Sequence, residues 1–371
     1  MKFGQIKRFG EHENAFGFLR LLFASLVIVA HTPALVDGDE HRELVIRTIG
    51  GHLTFGGLAV SGFFIISGFL ITGSYLSSSG PMSYLRKRLA RIYPEFLVMF
   101  VVCALLVRPL GGGAIGLSSL RSVAHELRLA LTLQPPGTDG AFAGLHYPAL
   151  NGAVWTIPYE FKCYLLVLLL GFAGLLRRPW VPAFGCAVCL FLAGLAPAAW
   201  LTMLSRLPLA SWWLGWAQEA FRMTGLFLAG STFYLIRRSV PLSRLLVAIS
   251  AAGLLLCLIV HPLANIGLAL FGSYLIFAAA EAGSRTFLKR INNETDISYG
   301  LYLYAWPVEQ LLILAIGTSS LVALGSLTWA IAAGLGWLSW TFVEKPVKRW
   351  RSRGRPQRSY PSGPTLPLPT S

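Results

Sequence analysis

An arginine and a histidine share one apolar stretch near the start of the chain, Phe16-Gly17-Phe18-Leu19-Arg20-Leu21-Leu22-Phe23-Ala24-Ser25-Leu26-Val27-Ile28-Val29-Ala30-His31. Ionisable groups are costly in hydrocarbon, so a membrane chain keeps such a pair mainly to line a polar path. The spacing from 20 to 31 is about three helical turns, which puts both side chains on one face and roughly 16 Å apart along the axis. Arg20 then lies near the inner end of the path and His31 toward its outer half. That layout suits chemistry between a cytosolic reagent and something outside.

The rest of the chain supports a membrane setting. It is 55% apolar and only 13% charged over 371 residues, with a mean hydropathy of +0.62, and a soluble core of this size would need a more polar surface. Long, weakly charged runs fall near 16–36, 55–76, 92–110, 153–176, 180–200, 217–236, 242–260, 262–281, 297–316 and 321–342, which predicts an all-α polytopic fold of about ten transmembrane helices. With the N-terminus placed inside, 22 of the 31 Lys and Arg fall in inner segments and 6 in outer loops, so both termini are expected in the cytosol. The same bias explains the net charge of +15 without nucleic acid: the excess is topological and faces anionic membrane lipid or cytosolic anions.

Residues 1–347 read as one transmembrane domain and 348–371 as a disordered, basic and Pro-rich cytosolic tail. No cleaved signal peptide is expected, because the first apolar run carries Arg20 and no small-residue cleavage pattern follows. The five cysteines lie in or beside apolar spans, and Cys186-x-x-Cys189 lacks a second ligand pair, so packing accounts for them. Seven scattered histidines give no zinc-ligand spacing, and no metal is expected. The segment from about 111 to 152 reads as a structured outer loop on which an acceptor would dock.

Four further patterns carry chemistry. In Gly57-Leu58-Ala59-Val60-Ser61-Gly62-Phe63-Phe64-Ile65-Ile66-Ser67-Gly68-Phe69-Leu70-Ile71-Thr72, small residues permit close approach of a second helix or a ligand. Arg88 and Arg91, three apart on a helix, either fix topology or clamp phosphates bidentately. In Trp155-Thr156-Ile157-Pro158-Tyr159-Glu160-Phe161-Lys162, Glu160 and Lys162 point to different faces; Glu160 has either a structural ion pair or the role of orienting and charging His31. Asp296 to Glu309 opens the ninth span, and Glu344-Lys345-Pro346 closes the tenth.

Taken together, these segments resemble the membrane acyltransferase family 3, bacterial inner-membrane O-acyltransferases of surface polysaccharides. The resemblance covers roughly residues 16 to 347. It rests on Leu19-Arg20 with His31, Phe63-Phe64-x-x-Ser67-Gly68-Phe69, Arg88-x-x-Arg91-Ile92-x-Pro94, Trp155-x-x-x-x-Glu160, Ser298-Tyr299-x-x-Tyr302-Leu303 with Trp306-Pro307, and Glu344-Lys345-Pro346. Two positions depart from the pattern: Ala305 stands where many relatives carry histidine, and Thr156 replaces a serine. No hydrolase domain of the SGNH type follows, so a single-domain form is implied.

The resemblance implies transfer of an acyl group, most often acetyl, from cytosolic acyl-CoA to a hydroxyl of a surface polysaccharide or lipid-linked oligosaccharide. Arg88 and Arg91 would hold the coenzyme A phosphates and Arg20 would draw the donor inward. His31 would act as general base or transient acyl acceptor, oriented by Glu160. Ser67, or backbone near Gly68, would steady the oxyanion, and Trp155, Tyr302 and Trp306 would meet the acceptor. A transporter or flippase for an anionic or glycolipid solute would use the same polar path, although no repeat relates the two halves of the chain. A subunit of an export machine would leave Arg20 and His31 unexplained.

Overall fold

Every apolar run read as a span is helical in the computed structural model, which describes residues 7–8, 14–39, 54–116, 119–207, 211, 213–260, 263–317 and 320–353. In chain order the helices are α1 Phe16–Asp37, α2 Phe55–Leu76, α3 Pro81–Leu110, the amphipathic α4 Leu120–Leu131, α5 Ile157–Phe172, α6 Trp180–Leu195, α7 Ala198–Arg206, α8 Ala217–Ile236, α9 Arg244–Ile259, α10 Ala264–Gly283, α11 Ser298–Ile316 and α12 Leu321–Trp350. Local chemistry sets their ends. The Thr54, Ser243 and Ser320 side chains accept from the first turns of α2, α9 and α12, Pro81 opens α3, and Gly38 in the left-handed region (φ 69°) stops α1.

By length and apolarity, 7 helices among the described residues suit a membrane crossing, or 8 if α6 and α7, bent by 114°, count as one. Against the expected ten or so transmembrane helices, the described residues thus supply 7 to 8 of sufficient length and apolarity. The 16 residues of α9 reach only about 24 Å, short of a hydrocarbon core of about 30 Å, and α8 carries Glu219 and Arg222 in its first two turns.

Helices α2 and α8 cross at almost backbone contact. A Cβ on Gly68 would run into the Phe227 carbonyl, one on Gly230 would run into the Ile65 carbonyl, and the Ser231 hydroxyl reaches the Gly68 carbonyl at 3.3 Å. Gly68 is thus committed to helix packing. The expectation that it helps hold the donor is corrected: its open face is filled by α8.

The segment after α4 does not stay outside the bundle. It runs down one stripe of α11, where the Gln310 amide donates to the Tyr147 carbonyl, the Trp306 indole donates to Ala149 at 3.0 Å, and the Tyr302 hydroxyl donates to Ala153. Eight helical residues from Gln310 to Tyr302 rise about 12 Å, so the chain re-enters by that depth before the tight turn Gly152–Thr156 starts α5. This carries Glu160 into the interior.

At the other end several basic segments meet. Strand β1 (Lys7–Arg8) pairs antiparallel with β2 (Pro241–Leu242), the Asn292 amide donates to the Gly17 carbonyl at 3.0 Å, and the 77–91, 284–297 and 345–353 segments lie alongside, joined through Asp296 and Glu344. The expected start of the disordered tail at 348 needs correction. Helix continues to Arg353, with Lys348 one turn beyond its partner Glu344 at 3.2 Å; residues 354–371 lie outside the described residues.

Candidate active site

Arginines inside a bundle need counter-ions, and Asp296 supplies one for two of them. Its Oδ2 accepts from Arg20 at 2.7 Å and from Arg91 at 3.0 Å. Oδ1 is held by the Ser298 hydroxyl at 2.6 Å and the Asn292 amide at 3.1 Å. Burial alone would raise this carboxyl, but the two guanidiniums hold it far below the usual carboxylate range. Arg91 also pairs with Glu344 and lies over the Tyr299 ring.

Arg88 is held differently. Its Nη2 reaches the Ser74 hydroxyl at 3.1 Å, and its guanidinium lies near the faces of Tyr84 and Tyr164. Among the described residues no carboxylate pairs with it, and its buried Nε has no hydrogen-bond partner. The expected Arg88–Arg91 phosphate clamp is therefore divided: Arg91 is engaged by two carboxylates, and Arg88 retains donor capacity.

These groups face one cavity of about 290 Å³, into which Arg20, Lys87, Arg88, Arg91 and Lys348 project from the basic end. Deeper in, the cavity is walled by Phe63, Ser67, Thr156, Glu160, Tyr164 and Tyr302. Among the described residues, Glu160 is the one carboxylate on this wall. Its Oε1 accepts from Tyr164 at 2.6 Å and from Ser67 at 3.0 Å. Tyr302 and Thr156 share a 2.6 Å hydrogen bond beside it.

The structure thus brings together Arg20, Ser67, Arg88, Arg91, Glu160 and Tyr302. It does not bring His31, Trp155, Trp306 or Gly68 to the same wall. The His31 ring stands edge-on to Trp306, with centroids 5.0 Å apart, one α11 turn beyond Tyr302. The pairing expected between Glu160 and His31 is corrected, because the hydroxyls of Ser67 and Tyr164 hold that carboxylate. Trp155 packs on Tyr159 and Trp216. Beside His31, Thr32 donates at 2.5 Å to Glu309, a buried carboxylate whose Oε2 is unpartnered among the described residues.

Several site residues escaped the sequence reading. Tyr164 sits one helical turn after Glu160, and Lys348 one turn after Glu344; both spacings were available as signals. Lys87 adjoins Arg88. Asp296 was signalled only by the need of Arg20 for a counter-ion.

The protein is thus a polytopic helical bundle around a cationic cavity that also carries a carboxylate and hydroxyls. The profile described as "Acyltransferase domain" matches residues 13–343, and the chain belongs to this family, membrane acyltransferase family 3. It is also similar to a protein of Shigella phage Sf6 called "O-acetyl transferase", at 28% identity over 359 residues, covering 93% of this chain and 98% of that protein. No solved structure matches.

Proposed function

We propose that this acyltransferase takes an acetyl group from cytosolic acyl-CoA and delivers it to a hydroxyl of a surface polysaccharide or lipid-linked oligosaccharide, as a multi-pass protein of a bacterial inner membrane. The observation that carries this reading is the polarity of the cavity: five cationic side chains at its mouth and Glu160 with hydroxyl partners at its far wall. An acyl-CoA has the matching polarity, with phosphates at one end and an uncharged thioester at the other. Arg88, with Lys87 next to it in sequence, would hold the phosphates. Arg20 and Arg91, already paired, would add field more than direct bonds. The basic end is then the cytosolic one, in keeping with the positive-inside rule.

Glu160 would act as general base at the thioester end. His31, beyond Tyr302 and next to Trp306, would serve the acceptor side as base on the sugar hydroxyl, with Tyr302, Trp306 and Trp155 shaping the approach. Acetyl as the acyl group draws on the similarity to the phage O-acetyl transferase. Purified protein in lipid, given labelled acetyl-CoA and lipid-linked glycan, should move the label into an alkali-labile ester on the glycan. Absence of both CoA release and labelled glycan would refute the reading and favour an anion transporter.

A further inference from the structure

Hydroxyls inside the helices of this protein commonly turn back on their own backbone. Ser25, Ser61 and Thr232 each donate to the carbonyl four residues earlier, the usual way to satisfy a hydroxyl in a membrane helix. Ser67 does otherwise. From the middle of α2 it donates across the helix interface to Glu160 Oε1 at 3.0 Å, and Tyr164 fixes the same oxygen at 2.6 Å. All three side chains line the cavity. A hydroxyl within reach of a base, with that base oriented by a third group, is the arrangement by which weak nucleophiles are activated.

We propose that Ser67 is a covalent nucleophile, which carries the acyl group as an ester between donor and acceptor. The inference rests on the reading of this cavity as the acyl-CoA site. Ser67 Oγ attacks the thioester carbonyl carbon while its proton passes to the Glu160 carboxylate. The C–S bond breaks, and the coenzyme thiolate leaves with the proton returned by Glu160. In the second half, a sugar hydroxyl attacks the seryl ester, its proton goes to a base, and the C–Oγ bond breaks as Ser67 Oγ is reprotonated. The cationic cavity favours both the developing oxyanion and the departing thiolate.

A covalent stop answers a geometric difficulty. Tyr302, hydrogen-bonded to Thr156 and Ala153, stands on the cavity wall, and the His31–Trp306 pair lies one turn further along α11. An acyl group parked on Ser67 lets the coenzyme leave before the acceptor arrives.

The test uses the full chain in lipid, with acetyl-CoA and isotopically labelled free CoA but no glycan. An acyl-enzyme predicts exchange of label into acetyl-CoA and a seryl peptide heavier by one acetyl group. Ser67→Ala should lose exchange and glycan transfer by about a thousandfold or more while still binding acetyl-CoA. Ser67→Cys should accumulate a hydroxylamine-labile thioester at position 67. Wild-type transfer to glycan without exchange, or transfer surviving in Ser67→Ala, overturns the covalent role and leaves the acyltransferase reading standing. A wild type that neither releases CoA nor labels any glycan overturns both.

Discussion

Arg20, on the first helix, and Asp296, in the turn before α11, are 276 residues apart in sequence and joined by a 2.7 Å ion pair. The same Asp296 oxygen accepts from Arg91 at 3.0 Å, so one carboxylate ties three parts of the chain at the mouth of the cavity. Removing it leaves two guanidiniums facing each other with little solvent, and breaking such a buried network costs about 3–5 kcal/mol. Asp296→Ala should lower the thermal midpoint in detergent, and Arg20→Gln added to it should recover part of the loss. Asp296 titrates below its unfolded value, so its contribution is complete above about pH 4. It drains only as pH falls toward the lower folded value. The midpoint difference between wild type and Asp296→Ala should therefore stay constant from about pH 5 to 8.

Arg88 and Arg91 should respond differently to substitution. Arg88→Gln removes a guanidinium with no carboxylate partner among the described residues, whose charge-assisted bond to phosphate is worth about 1.5–3 kcal/mol, so the Kd for acetyl-CoA should rise by about ten- to a hundredfold. The effect should shrink at high salt. Arg91→Gln should lower the thermal midpoint first, since it strips Asp296 and Glu344 of a partner. Equal acetyl-CoA affinity in wild type and Arg88→Gln at low salt would remove Arg88 from the donor site.

His31→Ala should abolish glycan acetylation while the protein inserts and accumulates normally. Because the imidazole lies beside Trp306 and off the cationic cavity, acetyl-CoA affinity should stay within about twofold of wild type. Unchanged acetylation would refute His31 as the acceptor-side base.

Arg108, 0% exposed, bonds Glu126 at 2.6 Å and Asp139 at 2.9 Å, fastening the outer segment to the end of α3. Arg108→Ala leaves two carboxylates without their cation. Limited proteolysis between 111 and 140 should accelerate severalfold; wild-type resistance would show that the loop is fastened elsewhere.

Hydropathy made the long apolar helices legible, because each must present an apolar surface whatever its neighbours do. Their exact roles in crossing were less so: α9 falls short in length, and the 114° break between α6 and α7 lies within a run that reads as continuous. Arg20, Ser67 and Glu160 stand out in the sequence because polar groups are conspicuous in apolar runs, and Arg88 because it is paired three residues from Arg91 in a basic segment. Which of them meet was not readable. Pairwise geometry depends on the re-entry of 147–156 along α11, set by side chains donating to loop carbonyls that any residue could supply. Gly68 illustrates the same limit, since a small residue permits both a ligand and a helix to approach, and only the position of α8 decides between them.

Glu160 is proposed as the base of the cationic cavity. Glu160→Gln keeps an oxygen for Ser67 and Tyr164 to donate to, and removes the proton-accepting charge. Single-turnover acetyl transfer by lipid-reconstituted Glu160→Gln should fall by about a hundred- to ten-thousandfold, with acetyl-CoA bound as tightly as by wild type. Transfer at the wild-type rate would contradict a base role for Glu160.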